Sequence, residues 1–341
     1  MKRRKRGGNR DVTDRGRPVE GQTPDGGPVR HIPVLLSQVL RALAPQAGER
    51  YIDGTFGAGG YARAILDRAD CEVLGLDRDP SAITAGRTLE AQSGGRLKLS
   101  ETPFSRMEEA AQAIGWASVD GVVLDLGVSS MQLDEAERGF SFMRDGPLDM
   151  RMSGQGLSAA GVVNSFEKDE IANILYRFGE ERRSRAIAAA IVKRREEAAF
   201  ERTGELADLV SGVLGRRPDD PKHPATRTFQ ALRLYVNDEL GELEQGLNAA
   251  ERILRPGGRL AVVSFHSLED RIVKRFLQSH SGKQPKASRH LPAEAQGPEP
   301  AFELKDRHGV EPSEEEIAAN SRARSARLRW AIRTAAPPMP A

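Results

Sequence analysis

Apolar and polar positions alternate along the first part of the chain in a pattern that predicts strands followed by helices. Short apolar runs end at Asp53, Asp77 and Asp125, and amphipathic helical stretches separate them. Repeated strand and helix in this order predicts a parallel sheet with helices on both faces, an α/β fold. Because such sheets bind ligands beyond the carboxyl ends of their strands, we expect the three aspartates to line one crevice.

The alternation stops between residues 134 and 220, where helical patterns follow one another without a convincing strand. The last of these patterns repeats apolar residues at helical spacing: Leu206, Leu209, Val210, Val213 and Leu214. An all-helical block inside an α/β chain predicts an inserted subdomain. After it we predict one long helix that ends at Pro256, a strand over 259–265 and a last strand around Leu328, Trp330 and Ile332.

Basic residues concentrate at the beginning of the chain. Residues 1–30 hold nine Lys and Arg against four acids, whereas the whole chain has a net charge of +2. A basic, Gly-rich segment with hardly any apolar residue cannot bury enough surface to fold, so it predicts disorder. The predicted organisation is a disordered tail (1–30), a sheet domain in two parts (31–133 and 221–335, with a long loop over 280–315), a helical insert for RNA or substrate recognition (134–220) and a disordered end (336–341).

Cysteine and histidine usage excludes several classes of site. The single cysteine, Cys71, excludes a disulfide framework, and the six histidines are scattered without metal-ligand spacing. This usage predicts a reducing compartment, the cytoplasm, and no bound metal. No apolar run approaches the roughly 18 residues that span a bilayer, so we expect no membrane association.

The stretch DGTFGAGG at 53–60 joins a predicted strand to a predicted helix. Its glycines permit close approach of the backbone to a ligand, and the helix that follows begins with unpaired N–H groups. Asp77, 24 residues after Asp53, suits the two hydroxyls of a ribose. NAD and S-adenosylmethionine both fit this pattern, as does a purely structural turn. An acid at the end of the first strand favours the cationic S-adenosylmethionine.

Seven sequence blocks carry a resemblance to a known family: DGTFGAGG at 53, LDRDP at 76, LDLGVSSMQLD at 124, ERGFSFMRDGPLDMRM at 137, HPATRTFQALR at 223, SFHSLEDRIVKRF at 264 and NSRARSARLR at 320. From about His31 to Arg333 the chain resembles the bacterial small-subunit ribosomal RNA cytosine-N4 methyltransferases, the MraW family. The resemblance implies a class I S-adenosylmethionine-dependent methyltransferase fold, a Rossmann-like, mostly parallel seven-stranded sheet with a helical insert. The implied reaction is methylation of the N4 amine of a cytidine in the decoding region of 16S rRNA, within the small ribosomal subunit.

The resemblance also implies which residues contact the cofactor. These are Gly59, Gly60 and Tyr61 in the glycine loop, Asp77 on the ribose, Phe104 beside the adenine, Asp125, and Gln132. The chain departs from the family at Tyr61, where histidine is expected, and at Met131, where proline is expected. We expect Tyr61 to serve through its backbone N–H alone, and the loop before Gln132 to be less rigid.

The acceptor chemistry points to two candidate catalytic acids. DNA amino-methyltransferases use an Asp/Asn-Pro-Pro-aromatic tetrad after the fourth strand, but here the matching residues are Asp125-Leu126-Gly127-Val128. The missing tetrad argues against a DNA substrate. Our hypothesis is that Asp125, or the backbone carbonyl next to it, receives the hydrogen bonds of the amine while also bordering the cofactor. A cofactor contact alone is the alternative. Asp149 is the weaker candidate, because it suits an ion pair with Arg144 or Arg151 equally well. A ribosome-assembly factor that keeps the cofactor site without catalysis stays open.

RNA recognition requires phosphate contacts around a base that is exposed or flipped out of its stack. The helical insert also carries a cluster of basic residues, which we interpret as a helix face exposed to solvent rather than as an RNA-binding surface. The candidate RNA-binding residues are Lys222, His223, Arg227, Arg322 and Arg324. The sequence leaves a homodimer open as the state of assembly.

Overall fold

The computed structural model describes residues 33–215, 223–282 and 299–339. Seven strands form one sheet: β1 Arg50–Asp53, β2 Glu72–Asp77, β3 Leu97–Glu101, β4 Val119–Asp125, β5 Leu254–Ser264, β6 Phe302–Leu304 and β7 Arg327–Arg333. Their order across the sheet is β3-β2-β1-β4-β5-β7-β6. β7 runs antiparallel to both of its neighbours, and the pairs from β3 to β5 are parallel. The predicted mostly parallel seven-stranded α/β sheet is therefore confirmed.

Helices cover the sheet and form a separate block. They are α1 Leu36–Leu43, α2 Gly60–Arg68, α3 Pro80–Gln92, α4 Met107–Ala113, α5 Ser130–Asp134, α6 Ala159–Ser165, α7 Lys168–Gly179, α8 Ser184–Arg195, α9 Thr203–Leu214, α10 Thr226–Val236, α11 Glu239–Ile253, α12 Ser267–His280 and α13 Glu314–Ala319. None of the helices in these ranges is long and apolar enough to cross a membrane.

The period of two along each strand divides the apolar residues between two clusters, one on each face of the sheet. In β1, Ile52 belongs to the cluster that includes Leu247 of α11, whereas Tyr51 belongs to the cluster that includes Ile65 of α2. Both faces are buried, as expected for a parallel sheet with helices on both sides.

A third apolar cluster holds the helical block together. It includes Leu175 of α7, Ile187 of α8 and Leu206 of α9, together with Leu232 of α10. The helical packing therefore continues past residue 220, where the sequence pattern ends the insert, because α10 buries its apolar face against α7.

The long helix predicted before Pro256 is wrong, because the chain breaks it into α10 and α11. Asp238 has a left-handed backbone with φ of 46°. The side chain of Asn237 accepts a hydrogen bond from the backbone N–H of Met152 at 2.8 Å and donates to the carbonyl of Met150 at 2.7 Å. These bonds to a distant segment compensate for the interrupted helix.

Strand boundaries and termini also differ from the expectation. β5 begins at Leu254 rather than 259, and it carries Pro256 within a register shift opposite β4. β3 was not predicted, and β6 lies inside the segment 280–315 that was expected to be a loop. Residues 336–339, which were predicted to be disordered, are among the described residues, and the N–H of Met339 donates to Glu251 Oε1 at 3.1 Å. The basic tail lies outside the described residues.

Candidate active site

The three aspartates predicted to share a crevice do end neighbouring strands. β1 lies between β2 and β4, and Asp53 pairs in register with Gly75 and Val123. Asp77 and Asp125 therefore each lie two residues beyond Asp53 at the same edge of the sheet. Parallel strands explain the arrangement, because their carboxyl ends meet at one edge.

Asp53 fixes the glycine loop from below. The side chain is fully buried, and it accepts hydrogen bonds from the backbone N–H of Thr55 at 3.3 Å and of Ala62 at 3.1 Å. It thereby ties both ends of the turn to the end of β1. Burial raises the pKa of Asp53 to about 7.

The glycines of this loop are required by close packing. Gly59 has φ of 74°, and a Cβ there would lie 2.7 Å from the ring of Phe56. A Cβ at Gly60 would lie 2.3 Å from Pro33. Gly57 donates its N–H to Asp77 Oδ2 at 2.8 Å, so the loop also orients the aspartate at the end of β2. The sequence pattern predicted that the backbone of the glycine loop and the carboxylate of Asp77 bind one ligand, and this hydrogen bond holds the two together.

Asp125 contains the most informative atom of this edge. Its Oδ1 is buried and has no hydrogen-bond partner among the described residues. Its backbone N–H donates to Thr55 Oγ1 at 2.6 Å, which links it to the glycine loop. Burial, with Asp53 and Glu269 nearby, raises the pKa of Asp125 well above its usual range. A buried acceptor without a donor fits a site that a hydrogen-bonding or cationic ligand completes.

Phe104 and Tyr61, two further residues expected to contact the cofactor, differ in what their side chains contact. Phe104 packs close to Gly54, where an added Cβ would lie 3.0 Å from the Cβ of the phenylalanine. The ring of Tyr61 is buried in the core, and its hydroxyl donates to the carbonyl of Val34. Only the backbone of Tyr61 faces the turn. Contacts of these residues with the cofactor stay predictions.

Gln132 is buried, and its side chain already has several partners. Its Oε1 accepts from the backbone N–H of Ser129 at 3.0 Å, and its Nε2 donates to Asp79 Oδ2 at 2.8 Å. The first bond belongs to a capping box that begins α5. A cofactor contact by Gln132, a further prediction, would use its remaining amide hydrogen.

Asp149 forms an ion pair with Arg151, one of the two pairings that the sequence suggested. Its Oδ1 accepts from Arg151 Nε at 2.9 Å and its Oδ2 from Arg151 Nη2 at 2.7 Å. Burial acts to raise the pKa of Asp149, but the bonds from Arg151 outweigh it and the pKa is lowered. Arg144 instead donates to the carbonyl of Asp134 at 2.7 Å. The geometry engages the Asp149 carboxylate in a structural role.

A polar pair that is not among the predicted site residues follows β5. His266 is the N-cap of α12, and the buried Glu269 accepts from the backbone N–H of Phe265 at 2.8 Å. Nε2 of His266 lies 3.1 Å from Glu269 Oε1 but makes no hydrogen bond in the described ranges. The spacing of a capping box, with Glu three residues after the N-cap, was the available signal.

The RNA-binding candidates occupy two places. His223 lies before α10, with its ring centroid 4.6 Å from that of Phe142, and the exposed Arg227 lies in the first turn of the helix. Arg322 and Arg324 are exposed in the 3₁₀ turn before β7, and Arg322 Nη2 lies 3.4 Å from Asp134 Oδ1. Lys222 lies outside the described residues. In the part of the chain that the structure describes, no group of three His, Cys, Asp or Glu could hold a metal ion.

Comparisons with known proteins show which family this chain matches. The model of the MraW methylase family matches residues 28–334. Two similar proteins are each named Ribosomal RNA small subunit methyltransferase H. The one from Xanthobacter autotrophicus is 59% identical over 315 residues, covering 92% of this chain and 90% of the relative. The one from Mesorhizobium japonicum is 61% identical over 312 residues, with the same coverage of 92% and 90%.

A solved structure aligns far less closely. An rRNA methylase from Streptococcus thermophilus shares 8% identity over 88% of this chain and 95% of its own, with a TM-score of 0.40. We draw no conclusion from a match at this TM-score.

Proposed function

The chain belongs to the MraW methylase family, and from that premise we propose that it methylates 16S rRNA of the small ribosomal subunit with S-adenosylmethionine as donor. It is an S-adenosylmethionine-dependent rRNA methyltransferase. We further propose that the target is the N4 amine of one cytidine in the decoding region, and that the enzyme works in the cytoplasm, where its substrate is.

The buried, unpartnered Oδ1 of Asp125 carries this proposal. It lies at the same sheet edge as Asp53 and Asp77, and these acids make the edge suited to a cation. Asp77 would hold the ribose, while the N–H groups of Gly60 and Tyr61 would hold the methionine end at the start of α2. When bound, S-adenosylmethionine supplies an electrophilic methyl group next to a sulfonium centre.

The acceptor amine needs help from the protein, because its lone pair is delocalised into the cytosine ring. Asp125 accepts a hydrogen bond from the amine and so draws the nitrogen toward a pyramidal, more nucleophilic geometry. The nitrogen loses one proton after it gains the methyl group. Burial, with Asp53 and Glu269 nearby, raises the pKa of Asp125, so its carboxylate is a stronger base toward that proton than an exposed aspartate would be.

RNA recognition is proposed for the helical block and the two basic places. We propose that residues 134–220, with Lys222, His223, Arg227, Arg322 and Arg324, surround the flipped base. The Arg227→Gln variant should lower rRNA affinity and reduce the slope of log affinity against log salt by about one, because one phosphate contact is lost. Filter binding at several salt concentrations measures this slope. An unchanged affinity and slope would remove Arg227 from the interface.

The direct test uses methyl-labelled S-adenosylmethionine with the purified enzyme. Small subunits and naked rRNA, both from a strain that lacks this enzyme, serve as alternative substrates, and the labelled nucleoside is mapped. We expect N4-methylcytidine at one position. Intact cofactor binding without label on either substrate would instead support an assembly factor. Sedimentation of the same preparation tests the homodimer, which stays a prediction.

A further inference from the structure

The carboxylate of Asp79 is buried immediately after β2 and gathers donors from separate parts of the chain. Its Oδ1 accepts from Ser81 N at 3.0 Å and Ser81 Oγ at 2.6 Å, and its Oδ2 accepts from Gln132 Nε2 at 2.8 Å. Arg138 Nη1 forms an ion pair with the same Oδ2 at 2.8 Å. Residues from two segments, one after β2 and one after β4, therefore meet at one charge.

On the cofactor side, Asp79 is connected to Asp77 and to the loop after Asp125. Its backbone N–H donates to Asp77 Oδ1 at 2.8 Å, which holds the carboxylate proposed to bind the ribose. Gln132, held by Asp79, accepts from Ser129 N at 3.0 Å and thereby fixes the turn that follows Asp125. A displacement of the Asp79 carboxylate would thus disturb both sides of the methyl-transfer site.

On the other side, Arg138 connects Asp79 to the helical block. Its Nη2 donates to the carbonyls of Arg151 at 3.2 Å and Met152 at 2.9 Å. Met152 is buried in the third apolar cluster. The chain of polar contacts therefore reaches from the cofactor edge into the packing of the helices.

Asn237 closes this series of polar contacts into a ring, which runs through Asp79, Arg138, Met152, Asn237 and Arg78. It accepts from Met152 N at 2.8 Å, and its own carbonyl accepts from Arg78 Nη1 at 2.6 Å. Arg78 directly precedes Asp79. Because the ring is fixed at the sheet and at the break between α10 and α11, a shift of the helical block is transmitted to both Arg78 and Asp79.

We propose that Asp79 is a positioning residue that couples RNA binding by the helical block to cofactor binding at the sheet edge. This inference rests on the proposed function. Each substrate then binds more tightly when the other is present, and by linkage the two enhancements are equal. A buried ion pair suits this role, because its geometry cannot relax without leaving an uncompensated charge.

The test measures binding of S-adenosylhomocysteine by calorimetry, with and without small subunits from a strain lacking the enzyme. We expect the subunits to lower the Kd of the wild type by about tenfold, within the usual range of coupling. In the Asp79→Asn variant this ratio should fall close to one, and kcat should fall with it. Asn keeps the side-chain volume and remains a good N-cap for α3, so the change removes mainly the charge.

A double variant separates positioning from simple structural support. Asp79→Asn with Arg138→Gln removes the unpaired charge, so Tm should recover relative to the single variant while the coupling stays lost. Recovery of both Tm and coupling would show that Asp79 is only structural. The Asp145→Asn variant is the matched control, because Asp145 pairs with Arg202 in an exposed ion pair outside the ring.

Two outcomes distinguish this inference from the proposed function. A wild-type Kd that does not respond to small subunits, or an unchanged ratio in Asp79→Asn, would overturn the coupling even if rRNA is methylated. Absence of methyl transfer by a wild type whose Kd does respond would remove the proposed reaction and leave the coupling in place.

Discussion

Two groups of buried acids lie close together in this protein, and their surroundings differ. Asp53 and Asp125 end strands and have no cationic partner among the described residues, and burial raises the pKa of each. Asp79 and Glu269 are also buried, but donors around them outweigh burial and lower the pKa of each. The comparison teaches that burial alone does not mark a functional acid. An acid such as Asp125, with a buried oxygen that has no donor among the described residues, is available to a ligand, whereas an acid whose oxygens are all hydrogen-bonded holds the structure in place.

Replacing Asp125 should give the largest effect on activity. We expect Asp125→Asn to lower kcat by about 10² to 10³-fold, because the amide accepts the amine's hydrogen bond weakly and cannot take its proton. The Tm should stay equal or rise, since an unpartnered buried acid is removed. Single-turnover methylation and thermal melting measure the two effects. A lower Tm with full activity would place Asp125 with the structural acids.

Removing the cationic partner of a buried acid should lower stability, in contrast to the replacement of Asp125. Arg138→Met leaves the Asp79 charge buried without its cation, and we expect a loss of about 3 kcal/mol in the free energy of unfolding. Urea denaturation measures this loss. Adding Asp79→Asn to the same chain should recover most of it. A single variant as stable as the wild type would show that the ion pair is not needed to compensate burial.

The pH dependence of stability should differ in sign between the two groups. The pKa of Asp53 is about 7 when folded and about 3.9 when unfolded, so its contribution is fully present below pH 3.9 and is lost as pH rises toward 7. Relative to Asp53→Asn, the wild type should lose about 1 kcal/mol between pH 6 and 7. Asp79 has a lowered pKa, so its contribution is present above pH of about 3.9 and is lost as pH falls below it.

Denaturation of the wild type, Asp53→Asn and Asp79→Asn from below pH of about 3.9 to pH 7 checks the sign of the pH dependence for both acids. Parallel curves for wild type and Asp53→Asn between pH 6 and 7 would show that Asp53 is already ionised in the folded protein.

The smallest effect is expected at a surface acid. Asp145→Asn removes an ion pair with Arg202 in which both side chains are about half exposed and screened by water. The Tm and kcat should match those of the wild type. A clear loss of either would mean that exposed pairs in the helical block also belong to the structural group.

Much of the site could be predicted from local sequence. The runs that end in Asp53, Asp77 and Asp125 predicted one edge of a parallel sheet, because strand period and glycine turns depend on neighbouring residues. The spacing of Leu206 and Val210 likewise indicated a helix that packs on one face. The spacing of such residues indicates the secondary structure of the strand or helix that contains them.

Contacts between distant segments were decided only by the tertiary structure. The sequence contains Asp79, Arg138 and Asn237, but nothing in their local pattern says that they meet, and the same holds for the bond from Met339 to Glu251. β6 escaped prediction because three residues are too short to show a period, and β7 supplies its pairing. The sequence by itself determined the sheet edge and its acids. Only the fold decided which acids have partners, because hydrogen bonds and desolvation depend on neighbours in space rather than along the chain.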